Sequence, residues 1–284
     1  MAMNWFQARG MIFKGVFGAS LFLTPVMAAA ADQESAAESV SQQSKTNDIA
    51  ELKKKAGDSD PQAMYTLGVR YFNGDGVSAS CKEALKWWRK AAALGNAEAM
   101  FHLGVCCSLG EGVPPDAGEA LKWWRQSAAL HNADALSAMG DCCLNGVGMS
   151  KDSTAAVAWW RKAAAFGNAH AMFQIGVCYS LGDGGLPKDC AEAVVWWRKA
   201  ADLGYTDAMF FLGSCYANGK GVPQNDVTAY MWLSLAASKE ESRMAFCERV
   251  RQRMSSGQVS DAQKMTAEYS EKMGWTPVAK QNNN

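Results

Sequence analysis

Residues 61–240 predict an all-α protein, a solenoid of five helix-turn-helix repeats with a capping helix upstream and closing helices downstream. Three observations carry this reading. Leu67-Gly68 recurs as Leu103-Gly104, Met139-Gly140, Ile175-Gly176 and Leu212-Gly213, at spacings of 36, 36, 36 and 37 residues. Trp87-Trp88 recurs as Trp123-Trp124, Trp159-Trp160 and Trp196-Trp197, and then as Met231-Trp232-Leu233, with Trp232 in the place of Trp87. Each copy also carries two apolar stripes at helical spacing, separated by a glycine-rich turn. Self-similarity at such a period marks a repeat architecture. A helix pair too small to bury its own stripe must stack on its neighbours.

Taken in order, the N-terminus reads as an export signal. Arg9 and Lys14 precede an apolar stretch from Gly15 to Met27, followed by Ala28-Ala29-Ala30-Ala31. A basic start, a short apolar core and small residues at the cut are the parts of a secretory signal, here assigned to residues 1–30. The stretch, interrupted by Ser20, Thr24 and Pro25, is short for a membrane span of about 20 residues. No membrane span is expected after cleavage. Residues 31–45 are rich in Ser, Gln and Ala and read as a flexible spacer. Ile49, Leu52 and Ala56 then mark a short amphipathic segment resembling a lone second helix.

The solenoid is assigned to residues 46–275, with repeats at 61–96, 97–132, 133–168, 169–205 and 206–240. In the first helix of repeat 1, Met64, Leu67, Gly68 and Tyr71 fall on one stripe at i, i+3, i+4 and i+7. Gly74-Asp75-Gly76-Val77 follows, where glycine permits the positive φ that ends a helix. The second helix opens on a capping-box pattern, Ser80 with Glu83, Asp116 with Glu119 and Asp189 with Glu192. Its expected buried stripe is Ala84, Trp87, Trp88, Ala91 and Ala92. Glu240–Met254 and Val259–Met273 read as two closing helices within a C-terminal cap at 240–275. Residues 276–284 read as a disordered tail.

Composition narrows the function. With 28 basic against 28 acidic side chains the formal net charge is zero, which argues against a nucleic-acid partner. Three histidines leave little for metal or histidine chemistry. The vicinal Cys106-Cys107 and Cys142-Cys143 pairs lack histidines at zinc spacing, and the repeated G-x-G follows a helix rather than a strand, so it is no nucleotide-cradling loop. No S-x-x-K, G-x-S-x-G or H-E-x-x-H motif occurs. No catalytic residue, cofactor or metal site is expected.

The pattern A-x-x-x-L-G-x-x-Y-x-x-G-x-G-V-x-x-D-x-x-x-A-x-x-W-x-x-x-A-A-x-x-G closely resembles the Sel-1-like repeat, a relative of the tetratricopeptide repeat. Repeat 4 carries it as Ala171, Ile175, Gly176, Tyr179, Gly182, Gly184, Asp189, Ala193, Trp196, Ala200, Ala201 and Gly204. Met254-Ser-Ser-Gly-Gln-Val259 with Ala262-Gln263 also resembles that family's C-terminal cap. Cys107 and Cys143 depart from the pattern in place of tyrosine, as does His131 in place of the glycine that ends repeat 2. The resemblance spans about residues 48–275 and implies a right-handed superhelical α/α solenoid. For function it implies an adaptor that holds other proteins, often exported in bacteria.

The internal alignment separates framework from free positions. The columns of Ala63, Met64, Leu67 and Gly68 barely change between repeats, whereas those of Gln62, Thr66, Val69 and Asn73 vary. The variable columns cluster on the opposite face, which lines the concave surface of related solenoids. Arg70, His102, Val105, Asp141, Gln174, Val177, Phe211 and Ser214 are therefore groove candidates. Tyr65, Phe101, Phe173 and Phe210 form an aromatic column at the groove's edge, interrupted by Ser137, and either anchor a peptide or pack between successive first helices. Arg89, Arg125, Arg161 and Arg198 form a ladder along the second helices, read as a solvated outer face in preference to an anionic-ligand track.

Of nine cysteines, Cys106, Cys142, Cys178 and Cys215 share one column. Helices spaced about 8–10 Å apart do not bring such neighbours within the roughly 7 Å between Cα atoms that a disulfide needs. The best pairing within one repeat is Cys178 with Cys190. Cys81 has no matching partner in its own repeat, because Arg70 holds the counterpart position. Most of the thiols are expected to be small buried side chains. The leading expectation is thus an exported, periplasmic or secreted, non-enzymatic adaptor binding protein or peptide on its concave face. The alternatives are a cell-envelope enzyme or glycan-binding module acting on peptidoglycan-like material, and a secreted effector.

Overall fold

A computed structural model describes residues 48–236 and 241–275. The expected signal (1–30), the spacer (31–45) and the tail (276–284) lie outside the described residues. Among the described residues there are thirteen helices and no strand. They divide into two compact bodies, one through Ser127 and one from Ala128.

In the first body, α1 (48–57) precedes α2 (Pro61–Asn73), α3 (Cys81–Ala93), α4 (Ala97–Leu109) and α5 (Ala117–Ala129, whose last residues pass the boundary). Ile49 and Ala56 of α1 join Leu67, Ala84, Leu85, Trp88 and Leu103 in one core. The lone amphipathic segment therefore does cap the first repeat. The second body holds three more repeats, α6 (Ala133–Asn145) with α7 (Ser153–Ala165), α8 (Ala169–Leu181) with α9 (Cys190–Asp202), and α10 (Thr206–Asn218) with α11 (Asp226–Ala236). The closing helices are α12 (Glu241–Arg251) and α13 (Ser256–Lys272). Within each body a second helix packs on its own first helix and on the first helix of the next repeat, as α3 does on α2 and α4 in the first body, and α7 on α6 and α8 and α9 on α8 and α10 in the second.

The repeat is built locally by caps. Asp60, Asn96, Asn132 and Asn168 start the first helices, each accepting a backbone N–H two or three residues on. Left-handed glycines at 74, 110, 146, 182 and 219 end them. The second helices start on Ser80, Asp116, Asp152 and Asp189, which accept the N–H groups of Glu83, Glu119, Ala155 and Glu192. Only this half of the expected capping box forms there. The N–H groups of Ser80, Asp116 and Asp189 already donate to the carbonyls of Tyr71, Cys107 and Tyr179, at 2.7, 2.7 and 2.8 Å. With those donors taken, Glu83 and Glu119 pair with Lys86 and Lys122 instead. The complete box is at Ser255 and Gln258, opening α13.

The tryptophan pair divides its work, a correction to the expected stripe. Only the second member, Trp88, Trp124, Trp160 or Trp197, is buried; the first is half-buried, with a lysine three residues on lying over its ring at 87, 159 and 196 (4.5, 4.7 and 4.3 Å). Burying one indole removes roughly 200 Å² from water, about 5 kcal/mol at 25 cal/mol per Å². The Leu-Gly glycine makes room for it: a Cβ on Gly68 would stand 2.3 Å from the Trp88 ring, and one on Gly104 2.4 Å from Trp124. In repeat 5, Leu233 takes that place against Gly213, and Trp232 is buried beneath Tyr269 of α13, edge-on at 4.9 Å. The C-terminal cap thus covers what would be a half-exposed tryptophan.

Candidate partner-binding site

The structure sorts the candidate positions into those a partner can touch and those it cannot. They lie on the first helices of both bodies, with Tyr65, Arg70, Phe101, His102 and Val105 in the first and the others in the second. In the first body, His102 stacks on Trp88 at 5.0 Å between centroids, and its Nε2 hydrogen-bonds the Tyr65 hydroxyl at 3.2 Å. Arg70, Val105 and His102 remain half-exposed. Phe101 does not reach the surface. At 2% exposure it belongs to the core, with its carbonyl accepting the Trp124 indole N–H at 3.2 Å.

The second body repeats this arrangement with other side chains. Phe211 holds the column of His102 and lies 5.0 Å from the Trp197 ring, 5.3 Å from Phe173 and 6.2 Å from Phe210. It is 38% exposed, an aromatic ring open on one side and backed by three others. Gln174, Val177 and Ser214 lie beside it on α8 and α10, half-exposed. Phe210 turns the other way, against Phe246 of α12 and under the Arg243 guanidinium. Phe173 meets Tyr205 at 5.3 Å. In the second body the aromatic column is thus taken up in packing, Phe173 against Tyr205 and Phe210 against Phe246, and Phe211 in the next column is left open.

Asp141 is likewise unavailable to a partner. It is 6% exposed and sits where the other repeats carry Val69, Val105, Val177 and Ser214. Its carboxylate accepts the Trp160 indole N–H at 3.1 Å and meets His170 Nε2 at 3.2 Å; His170 Nδ1 lies 2.9 Å from the Tyr205 hydroxyl. Burial, then Asp207 and Asp141, push the Tyr205 phenol above its usual range. Sequence reasoning missed His170 and Tyr205, whose partners lie 29 and 35 residues away; the acid in a valine column was the one visible sign.

Arg89, Arg125 and Arg161 are exposed, in line with a solvated outer face, while Arg198 lies over Trp232 at 4.6 Å. Cys178 and Cys190 are both free thiols, the first buried and the second half-buried. Among the described residues no group of three or more His, Cys, Asp or Glu is placed to hold a metal ion, and no helix is long and apolar enough to cross a membrane.

A stack of near-identical helix pairs with exposed variable columns defines a helical-repeat protein of the binding class. The pattern that defines the Sel1 repeat matches residues 61–96, 97–132, 133–168, 169–205 and 206–240, and the chain belongs to the Sel1 repeat family. Proteins of this family are generally protein-interaction scaffolds. A Sel1 repeat protein from Oxalobacter formigenes is 31% identical over 72% of this chain and 84% of its own, with a TM-score of 0.62. A protective antigen of uropathogenic Escherichia coli with an SLR fold is 24% identical over 84% of this chain and 60% of its own, with a TM-score of 0.64. An immunity protein from Pseudomonas aeruginosa is 18% identical over 78% of this chain and 86% of its own, with a TM-score of 0.50. The last two likenesses concern the fold alone, and this chain spans less than two thirds of the antigen. No curated protein sequence matches significantly.

Proposed function

We propose that this chain is an exported, non-enzymatic adaptor that holds a protein or peptide partner against the exposed side of its first helices. The single observation behind the site is Phe211, an open aromatic ring backed by Trp197, Phe173 and Phe210. A rigid apolar wall of this kind suits an apolar anchor side chain on the partner. The half-exposed Gln174 and Ser214 beside it offer polar groups to a peptide backbone. The export reading is supported by Arg9, Lys14, the apolar 15–27 stretch and the alanines after it.

The test begins with crosslinking in the native cell and identification of the crosslinked partner. Pull-downs of that partner then compare the wild-type chain with Phe211→Glu and His102→Glu. Binding is expected to fall at least tenfold for Phe211→Glu with the thermal midpoint little changed, and unaltered capture by both variants would exclude these surfaces. N-terminal sequencing of the mature protein from the cell envelope and medium checks export: a start near residue 31 is expected, and an intact Met1 in the cytoplasm would overturn it.

A further inference from the structure

We propose that Cys81 with Cys106, and Cys190 with Cys215, are two disulfide sites, each stapling the second helix of one repeat to the first helix of the next. The two pairs share one register. Each is separated by 25 residues (81 to 106, 190 to 215), and corresponding members lie three repeats apart. Cys81 and Cys190 are the first residues of α3 and α9, half-buried; Cys106 and Cys215 lie in the last turns of α4 and α10, buried. The intervening repeats have Ala117 and Ser153 at the first position, so the pair is incomplete there.

The backbone brings the two ends together through the turn after the first helix. The carbonyl of Cys106 accepts the N–H groups of Gly110 and Glu111, folding that turn over the thiol's own helix end. At Gly112, a Cβ would stand 3.0 Å from the Cys81 Cβ. The second pair repeats this. The Cys215 carbonyl accepts from Gly219 and Lys220, and a Cβ on Gly221 would stand 2.3 Å from the Cys190 carbonyl oxygen. At the junction between, a Cβ on Gly184 would meet the Ser153 carbonyl oxygen at 2.9 Å, so the register is a property of the repeat. After burial and Glu111, the charge of Cys81 contributes to holding the Cys106 thiol protonated, and after burial that of Cys190 does so for Cys215. The turn after the first helix in repeats 2 and 5 thus lies against the start of the preceding repeat's second helix before the chain runs on into its own.

The chemistry is thiol–disulfide exchange with a disulfide oxidant. The half-buried thiol, as thiolate, attacks oxidised glutathione; one sulfur–sulfur bond breaks, a mixed disulfide forms, and reduced glutathione leaves with the proton. The buried partner's sulfur then displaces the second glutathione, which takes the other proton. Two cysteine thiols are oxidised and one glutathione disulfide is reduced to two thiols.

The test oxidises the folded full chain with oxidised glutathione, alkylates what remains, and maps non-reduced tryptic peptides by mass spectrometry. Peptide 71–82 is expected linked to 91–122, and 189–198 linked to 200–220. Because 91–122 also carries Cys107, a Cys107→Ser chain is run beside the wild type and should keep its link. Cys81→Ser and Cys190→Ser, with Ser153 as natural precedent at that position, should each abolish one link and leave the other. Oxidation should raise the thermal midpoint by on the order of 10 °C, and the Cys81→Ser/Cys190→Ser double variant should lose that rise. Linkage of 189–198 to the Cys178 peptide 163–188, or only single glutathione adducts, overturns the proposal. The result does not depend on export, which governs only whether the bridges form in the cell.

Discussion

His170 Nε2 stands 3.2 Å from both carboxylate oxygens of Asp141, with both side chains buried. In repeats 1, 2 and 4 the buried indole donates to a backbone carbonyl, that of Tyr65, Phe101 or Phe173. In repeat 3 the Trp160 indole donates to the Asp141 carboxylate. One substitution in a valine column has thus redirected a framework hydrogen bond and bound it to the next repeat through His170. Tyr205, the last residue of repeat 4, extends the chain of contacts to the start of α10.

Asp141→Ala is expected to destabilise the second body by about 2–4 kcal/mol, because it leaves the Trp160 and His170 nitrogens buried without their acceptor. Asp141→Asn keeps an acceptor and should cost less. In a double-mutant cycle with His170→Ala, chemical denaturation should show a coupling of about 1–3 kcal/mol. Additive effects would mean that the pair is a mere neighbour contact.

The fold was legible because each repeat states it again. Leu-Gly, the Trp pair and the caps recur until helix boundaries follow from alignment, and the terminal helices from the need to cover the last stripe. The site was less legible. Placing Phe101 and Asp141 on the open face followed from helical periodicity, which sorts positions by angle around one helix. It does not record the neighbouring helix that covers them. The half capping boxes show the same gap: the motif fixes which residues are present, while the N–H of Ser80 was claimed by Tyr71 across the turn. Contacts between repeats, such as Cys81 with the turn after α4, appear only when the stacking register is known.

Gly104→Ala tests the close approach of helix to indole. Its Cβ would stand 2.4 Å from Trp124 Nε1, whose hydrogen bond to the Phe101 carbonyl would be displaced. The expected loss is about 2–4 kcal/mol from overpacking and the lost bond. Gly57→Ala is the control, since nothing lies within 4 Å of its Cβ position at the end of α1. It should be neutral or stabilise by about 0.5 kcal/mol. Equal costs in denaturant melts would remove the steric explanation.

Alkaline pH should weaken the fold through its buried thiols. Burial, followed by Asp141 and Cys143, pushes the Cys142 thiol up to about 12, while an unfolded cysteine titrates near 8.5. The folded state therefore keeps a proton that the unfolded state releases. The stability contributed is complete below about pH 8.5 and is lost as pH rises toward the folded value, at about 1.4 kcal/mol per pH unit for one thiol. Cys142→Ala removes that slope. In reductant, the gap between wild type and Cys142→Ala measured at pH 7.5 should narrow by about 2.7 kcal/mol at pH 10.5. A gap independent of pH would contradict this.

His131 offers the opposite case, a position where the repeat consensus should improve the protein. Its φ is +61°, while Gly95, Gly167 and Gly204 hold the same turn at +85°, +81° and +82°. A side chain in left-handed backbone costs about 1–2 kcal/mol. His131 recovers part of that by stacking on the exposed Phe166 at 5.2 Å. An aromatic contact at the surface contributes about 0.5 kcal/mol, less than the backbone strain. His131→Gly should therefore stabilise the chain by roughly 0.5–1 kcal/mol. Gly167→Ala, which meets no atom within 4 Å, should destabilise it by about 1 kcal/mol through φ alone. Both are read from denaturant midpoints, and a destabilising His131→Gly would show that the Phe166 contact outweighs the strain of the turn.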